Sequence, residues 1–159
     1  MSPSKAVLAF IPVLAFIPAL AIAVAACTGP PVNISTLDLL KGFETMEPDP
    51  YDDGFETRPS ATSAQDAVSN ALTDTVTLND NQYGALVSWT FNAGNGNMEY
   101  SNLVRRMNGG EDVVAVANDE LPLWNKANGK VINGLVWGRK AEVDLFNAPS
   151  NVGALPVPC

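Results

Sequence analysis

The sequence contains no histidine and only two cysteines among 159 residues. The commonest protein ligand for transition metals is therefore missing. The acidic stretch EPDPYDD at 47–53 also lacks the regular spacing and the glycine of a calcium loop. Phosphate-binding loops and nucleophile elbows are absent as well. We therefore expect a protein without a metal or other cofactor.

Basic side chains are scarce, with 9 Lys and Arg against 17 Asp and Glu, which gives a net charge of −8. Removing Lys5 with an N-terminal targeting segment leaves 8 basic against 17 acidic side chains, or −9. Such a chain repels the phosphate backbone. We expect no nucleic-acid partner.

The N-terminus has one basic residue, Lys5, followed by an uncharged apolar run from 6 to 26 that ends in small residues. This pattern is typical of a secretory signal peptide. We predict a signal peptide at 1–26, cleaved near Ala25 or Ala26, and an extracellular monomeric domain at 27–159 without stable membrane association. The alternatives are an uncleaved anchor, which Pro12 and Pro18 disfavour, and a lipidated Cys27.

Two modifications become possible in a secretory compartment. Cys27 and Cys159, at opposite ends of the mature chain, can form a disulfide there. Asn33 begins the sequon Asn-Ile-Ser, a possible glycosylation site. The spacing of the residues alone proves neither.

The spacing of apolar residues predicts a mainly α protein. Ser35 with Asp38, and Asn79 with Gln82, have capping-box spacing at two helix starts. Ser101, Gly109 and Pro122 provide further start and stop signals. The helices are expected at about 36–46, 61–75 (weak), 79–94, 101–109, 113–121 and 133–146, with 47–60 as a loop.

Four segments resemble phage-type lysozymes, glycoside hydrolase family 24, and especially their secreted fungal members. They are LNDNQYGALVSWTFNAG at 78–94, SNLVRRMNGGED at 101–112, ELPLWNKANGKVINGLVWGRKAEVDLF at 120–146 and APSNVGALP at 148–156. The resemblance implies an α+β lysozyme-like fold and bacterial peptidoglycan as the substrate. It also implies inverting hydrolysis of the β-1,4 bond between N-acetylmuramic acid and N-acetylglucosamine, in antibacterial defence or wall catabolism.

The same resemblance places the catalytic residues. LLKGFE at 39–44 is similar to the helix that ends on the family's catalytic glutamate, which is Glu44 here. Asp53 and Thr57 match the aspartate and threonine that manage the attacking water. A glutamate beside Phe43 at the carboxyl end of a helix is disfavoured as an anion, which suits a general acid.

The chain departs from the family pattern after Thr57. Family members continue into a Gly-Tyr-Gly-His strand, whereas this chain reads RPSATSAQD, and only 20 residues separate Thr57 from Leu78. We therefore expect the small β-lobe to be reduced or missing. A protein that binds peptidoglycan or related glycans without cleaving them is the alternative.

Substrate contacts are predicted at Asn92, Asn95, Arg105 and Arg139. Arg106 and Lys140 share the flanking helices with these arginines, and surface salt bridges explain such cations equally well. The aromatic residues at helical spacing are assigned to the core rather than to sugar stacking; these are Trp89, Phe91, Trp124 and Trp137.

Overall fold

The structure is a computed structural model that describes residues 28–46 and 60–157, with the side chains of 28–42 and 60–157. These residues form a mainly α-helical domain, as predicted. The helices are α1 (Ile34–Met46), α2 (Ala61–Ala71), α3 (Asp80–Ala93), α4 (Asn95–Glu99), α5 (Asn102–Asn108), α6 (Val113–Glu120) and α7 (Asn133–Asn147). The strands are β1 (Leu78–Asn79), β2 (Lys126–Ala127), β3 (Lys130–Val131) and β4 (Gly153–Leu155), and a 3₁₀ turn spans Leu121–Leu123.

Helix α3 is the centre of the domain. The capping box predicted from the sequence is present, because Asn79 Oδ1 accepts from the Gln82 N–H at 2.9 Å and Gln82 Oε1 accepts from the Asn79 N–H at 3.0 Å. Gly94 ends the helix with a φ of +90°, a conformation that favours glycine. The helix is buried along Tyr83–Thr90 and packs against α1, α2, α4 and α7.

Helix α1 starts two residues earlier than predicted, and its cap differs. Asn33 Oδ1 accepts from the Thr36 N–H at 3.0 Å and from Thr36 Oγ1 at 2.9 Å. Asn33 Nδ2 also donates to Asp80 Oδ2 at 2.9 Å and Asn81 Oδ1 at 2.8 Å in the first turn of α3. The predicted capping role of Ser35 and Asp38 is therefore wrong, because Asn33 caps α1 and ties it to α3.

Helices α1 and α3 touch closely a turn further on. A Cβ added at Gly84 would lie 1.8 Å from Thr36 Oγ1, and Thr36 is fully buried. Asn33 contacts Asp80, and Thr36 contacts Gly84 one turn later, so the contacts come in the same order along both helices. The two helices therefore run in the same direction from a shared beginning.

The other predicted helix boundaries hold within a few residues. Ser60 and Ser101 cap α2 and α5, and Asp112 caps α6 through the Ala115 N–H. Helix α2 ends at Ala71 rather than 75, but its buried alanines and valine still pack on α3. The 3₁₀ turn that contains Pro122 follows α6 directly.

The strands form two small antiparallel pairs, β1 with β4 and β2 with β3. The β2–β3 hairpin, which we did not predict, turns through Asn128 and Gly129 with φ values of +49° and +76°. Positive φ at both positions is typical of a type I′ turn. The described residues 60–77, after the predicted catalytic loop, contain no strand.

The core lies between α3 and the helices around it, with Trp89, Tyr83 and Phe146 among its largest buried side chains. Within the part of the chain that the structure describes, every helix is too short or too polar to cross a bilayer.

Candidate active site

The predicted catalytic residues fall mostly outside the described residues. Asp53 and Thr57 lie in the 47–59 segment, and the side chain of Glu44 is not described either. The backbone of Glu44 belongs to the last turns of α1, which packs against α3 and α7. The assignment of Glu44, Asp53 and Thr57 therefore stays a prediction.

The parallel course of α1 and α3 places Glu44 relative to Asn92. Thr36 contacts Gly84, and both Glu44 and Asn92 come eight residues later on their helices. At 1.5 Å of rise per residue, both lie about 12 Å beyond the contact. The sequence-predicted acid and the predicted substrate contact Asn92 therefore share one end of the helix pair.

A buried ion pair within α7 contacts α3 near this end. Arg139 Nε lies 2.8 Å from Glu142 Oε2, and Arg139 Nη2 donates to Glu142 Oε1 at 3.0 Å. Ser88 Oγ of α3 donates to the same Glu142 Oε1 at 3.0 Å. The planar guanidinium thus meets the carboxylate through two nitrogens, a geometry that fixes both side chains.

The position of Arg139 corrects our expectation. We expected a cation facing the substrate, but Arg139 is 2% exposed and Glu142 fully buried. The sequence analysis did not single out Glu142, although the i, i+3 spacing of the pair on one helix was a signal for it. Arg139 therefore contacts Asn92 and Glu142 inside the domain.

Glu142 sits in an unusual electrostatic environment. Burial raises its pKa from the ordinary value of 4.5 to about 7, against the opposing effects of the Arg139 guanidinium and the Ser88 hydrogen bond. Taking the carboxylate out of water is costly, and the pairing compensates only part of that cost.

The two predicted asparagines use their amides in opposite ways. Half-buried Asn92 accepts through Oδ1 from Arg139 Nη2 at 3.0 Å. Asn95 instead donates through Nδ2 to Ser63 Oγ at 2.8 Å, which ties α4 to α2. Asn92 Nδ2 therefore has no acceptor among the described residues, whereas the Asn95 donor serves an internal contact.

The remaining predicted cations are placed differently from one another. Arg105 is exposed, with its guanidinium 3.3 Å from Asn102 Oδ1, and it borders an open groove of about 520 Å³. Arg106 instead binds three carboxylates, and Lys140 pairs with Asp144 on the surface of α7. Arg105 therefore has no carboxylate partner among the described residues, whereas Arg106 and Lys140 do.

Three of the four aromatic residues belong to the core, as predicted. Trp89 is fully buried and meets Trp124 edge to face at 5.2 Å, while Phe91 packs against the same core. Trp137 is the exception, because it is 65% exposed on α7. The described residues include no group of three or more acidic, cysteine or histidine side chains placed to hold a metal ion.

The predicted modification sites lie at the chain ends. Asn33 Nδ2, the atom that a glycan would occupy, is engaged with two acceptors on α3. Cys27 and Cys159 lie outside the described residues.

The central buried helix, the helices packed around it and the small strand pairs define a mainly α, lysozyme-like domain. A sequence model of the family described as Phage lysozyme matches residues 56–142. This match covers more than half of the chain, and the protein belongs to that family. The predicted family and fold class are confirmed.

Individual phage endolysins are also similar to this chain. The endolysin of Bacillus phage PZA is 45% identical over 89 residues, which are 55% of this chain and 33% of that protein. The endolysin of Bacillus phage B103 is 41% identical over 71 residues, or 45% of this chain and 26% of that protein. The chain thus spans about a third or less of these curated relatives. The resemblance to secreted fungal members stays a prediction.

Two solved structures share the fold. The muramidase domain of SpmX from Asticaccaulis excentricus superposes with a TM-score of 0.55 at 27% identity and covers 75% of this chain and 99% of that one. The endolysin from Escherichia coli O157:H7 phage FAHEc1 superposes with a TM-score of 0.57 at 23% identity, covering 76% and 96%. The second likeness concerns the fold alone.

Proposed function

We propose that this protein is a secreted muramidase that hydrolyses the β-1,4 bond between N-acetylmuramic acid and N-acetylglucosamine in bacterial peptidoglycan. Membership of the phage lysozyme family is the observation that carries the proposal. The related proteins, an endolysin and a muramidase domain, support the same substrate. Antibacterial defence or the breakdown of bacterial walls is the proposed use.

The proposed chemistry uses two carboxyl groups. Glu44 donates a proton to the leaving glycosidic oxygen, while Asp53 and Thr57 hold the water that attacks the opposite face of the sugar, with inversion. The packing of α1 against α3 and α7 supports the role of Glu44, since it makes the helix that carries Glu44 part of the packed domain. A fixed general acid needs no reorganisation when the bond breaks.

Two of the predicted substrate contacts have polar groups that can reach a ligand. Asn92 and Glu44 each come eight residues after the Thr36–Gly84 contact on their helices, and Asn92 Nδ2 has no acceptor among the described residues. The exposed Arg105 can meet the peptide carboxylates of the wall polymer. Asn95 and Arg139 are proposed to act through other residues, because Asn95 Nδ2 donates to Ser63 and the Arg139 guanidinium contacts Glu142 inside the domain.

One observation favours a second function. Only 20 residues separate Thr57 from Leu78, and those from 60 to 77 contain α2 and no strand. A protein without a strand in that described segment could hold peptidoglycan through the helical lobe without cleaving it. Binding without cleavage is therefore the second candidate.

The test is the clearing of a peptidoglycan suspension by the mature protein, compared with Glu44→Gln. Asp38→Asn is the matched control, because it removes one carboxylate from an exposed position on the same helix. The enzyme proposal predicts clearing by the wild type and Asp38→Asn and none by Glu44→Gln. Sedimentation of the wild type with peptidoglycan, without clearing, would support the binding protein instead.

Secretion has its own test. N-terminal sequencing and intact mass of the protein from a secreting host should give a start near Cys27, without lipid. A start at Met1 would favour the uncleaved anchor, and a lipid adduct on Cys27 would favour the tethered form.

A further inference from the structure

Asn92 is a half-buried side chain whose two amide ends face different surroundings. Its Oδ1 accepts a 3.0 Å hydrogen bond from Arg139 Nη2. Its Nδ2 makes no hydrogen bond with any described residue. Because arginine can only donate, the amide oxygen must face Arg139 and the NH₂ group must face away from it.

The buried side chains next to Asn92 fix the orientation of its amide. Arg139 is held by two contacts with fully buried Glu142, which in turn accepts from Ser88 one turn before Asn92 on the same helix. Rotating the Asn92 amide would place its NH₂ group against a guanidinium and leave Nη2 of Arg139 without this acceptor. An unsatisfied buried donor costs about 1–3 kcal/mol. The network therefore selects one orientation.

We infer that Arg139 is a positioning residue that turns the Asn92 NH₂ group toward the glycan, where it donates to the acetamido carbonyl of an N-acetylated sugar. A donor with no acceptor among the described residues fits a carbonyl oxygen, which accepts but cannot donate. Asn92 and the proposed acid Glu44 each come eight residues after the contact between Gly84 and Thr36 on their helices. This inference rests on the proposed function.

Asn92→Asp is the direct test, since it replaces the outward donor with an acceptor and keeps an oxygen for Arg139. Asn97→Asp is the control, because it adds the same charge five residues away, where the Asn97 amide donates only to the Ala93 carbonyl of its own chain segment. Dissociation constants are measured for peptide-free peptidoglycan glycan strands, native and chemically de-N-acetylated, together with the melting temperature of each variant.

Loss of one neutral hydrogen bond corresponds to a change of about tenfold. We expect Asn92→Asp to weaken binding of native strands by about tenfold or more and to reduce the preference for native over de-N-acetylated strands. Its melting temperature should not fall, because the new carboxylate faces Arg139. Asn97→Asp should stay within about twofold of the wild type in both respects. Equal effects of the two variants would overturn the inference, since charge alone would explain them.

A second variant tests the role of Arg139 itself. Replacing Arg139 and Glu142 together by methionine removes the buried pair without leaving a single charge behind, a change that proteins often tolerate. With the pair gone, the Asn92 amide can rotate, and the preference for native strands should fall about threefold. An unchanged preference in a cooperatively folded double variant would contradict the positioning role.

The two proposals fail in different ways. If the wild type bound no peptidoglycan at all, the proposed function would fail and this inference with it. If the wild type bound or cleaved peptidoglycan but Asn92→Asp kept the full preference for native strands, only the inference would be overturned.

Discussion

The contact between α1 and α3 depends on the absence of a side chain at Gly84. A Cβ there would lie 1.8 Å from Thr36 Oγ1, 3.0 Å from Thr36 Cβ and 3.2 Å from Thr36 Cγ2. Ordinary contacts between such atoms are about 3.5–4.0 Å long. Thr36 cannot simply turn away, because its hydroxyl is bonded to Asn33. Gly84→Ala must therefore push α1 away from α3.

The expected cost follows from two opposing effects. Overpacking of this kind costs about 1–3 kcal/mol, whereas alanine in place of glycine inside a helix gains up to about 1 kcal/mol. We expect Gly84→Ala to lower the free energy of unfolding by about 1–2 kcal/mol. It should also reduce clearing of peptidoglycan, because α1 carries Glu44.

Urea unfolding provides the measurement, and Gly42→Ala provides the control. Gly42 lies inside α1, and a Cβ there would meet no atom within 4 Å. That substitution should raise stability by about 0.5–1 kcal/mol. Thr36→Ala should also cost less in the Gly84→Ala background than in the wild type. A Gly84→Ala variant as stable as the wild type would refute the close approach of the two helices.

Three other predictions concern pH, capping and the chain ends. Because the pKa of Glu142 is raised from 4.5 to about 7, its protonated form adds stability that is fully present below about pH 4.5 and is lost as the pH rises through 7. Glu142→Gln should therefore gain about 3 kcal/mol relative to the wild type between pH 4 and pH 8 in urea unfolding; a relative stability that falls with pH would contradict this. Ser101→Ala removes the acceptor of the Val104 N–H and should lower the free energy of unfolding by about 1 kcal/mol, whereas no change would argue against the cap. Finally, oxidised protein should contain no thiol that reacts with a thiol reagent, and replacing Cys27 and Cys159 by serine should cost about 4–5 kcal/mol; two reactive thiols would exclude the disulfide.

Local signals predicted the helices well because each signal involves residues close in sequence. The Asn79–Gln82 capping box, the Ser101 cap and the stop at Gly94 appear in the structure as expected. The hairpin at 126–131 was missed, although Asn128-Gly129 is the dipeptide that a type I′ turn favours. The hairpin could therefore have been predicted from the sequence.

The predictions that were wrong concern residues whose position depends on packing between helices. Asn33 replaces Ser35 as the cap of α1 because it also reaches the start of α3, 47 residues away. Arg139 is buried because α7 turns that face toward α3, and no local pattern shows which face of a charged helix lies inside. Trp137 lies on the same helix and is exposed, which the local pattern did not show either.

The central claim is that the protein cleaves peptidoglycan through Glu44. The most direct measurement digests purified peptidoglycan with the mature protein and identifies the soluble products by mass spectrometry after reduction of their new ends. The account predicts muropeptides ending in reduced N-acetylmuramic acid from the wild type and none from Glu44→Gln. Equal release by both proteins, or products ending in reduced N-acetylglucosamine, would contradict it.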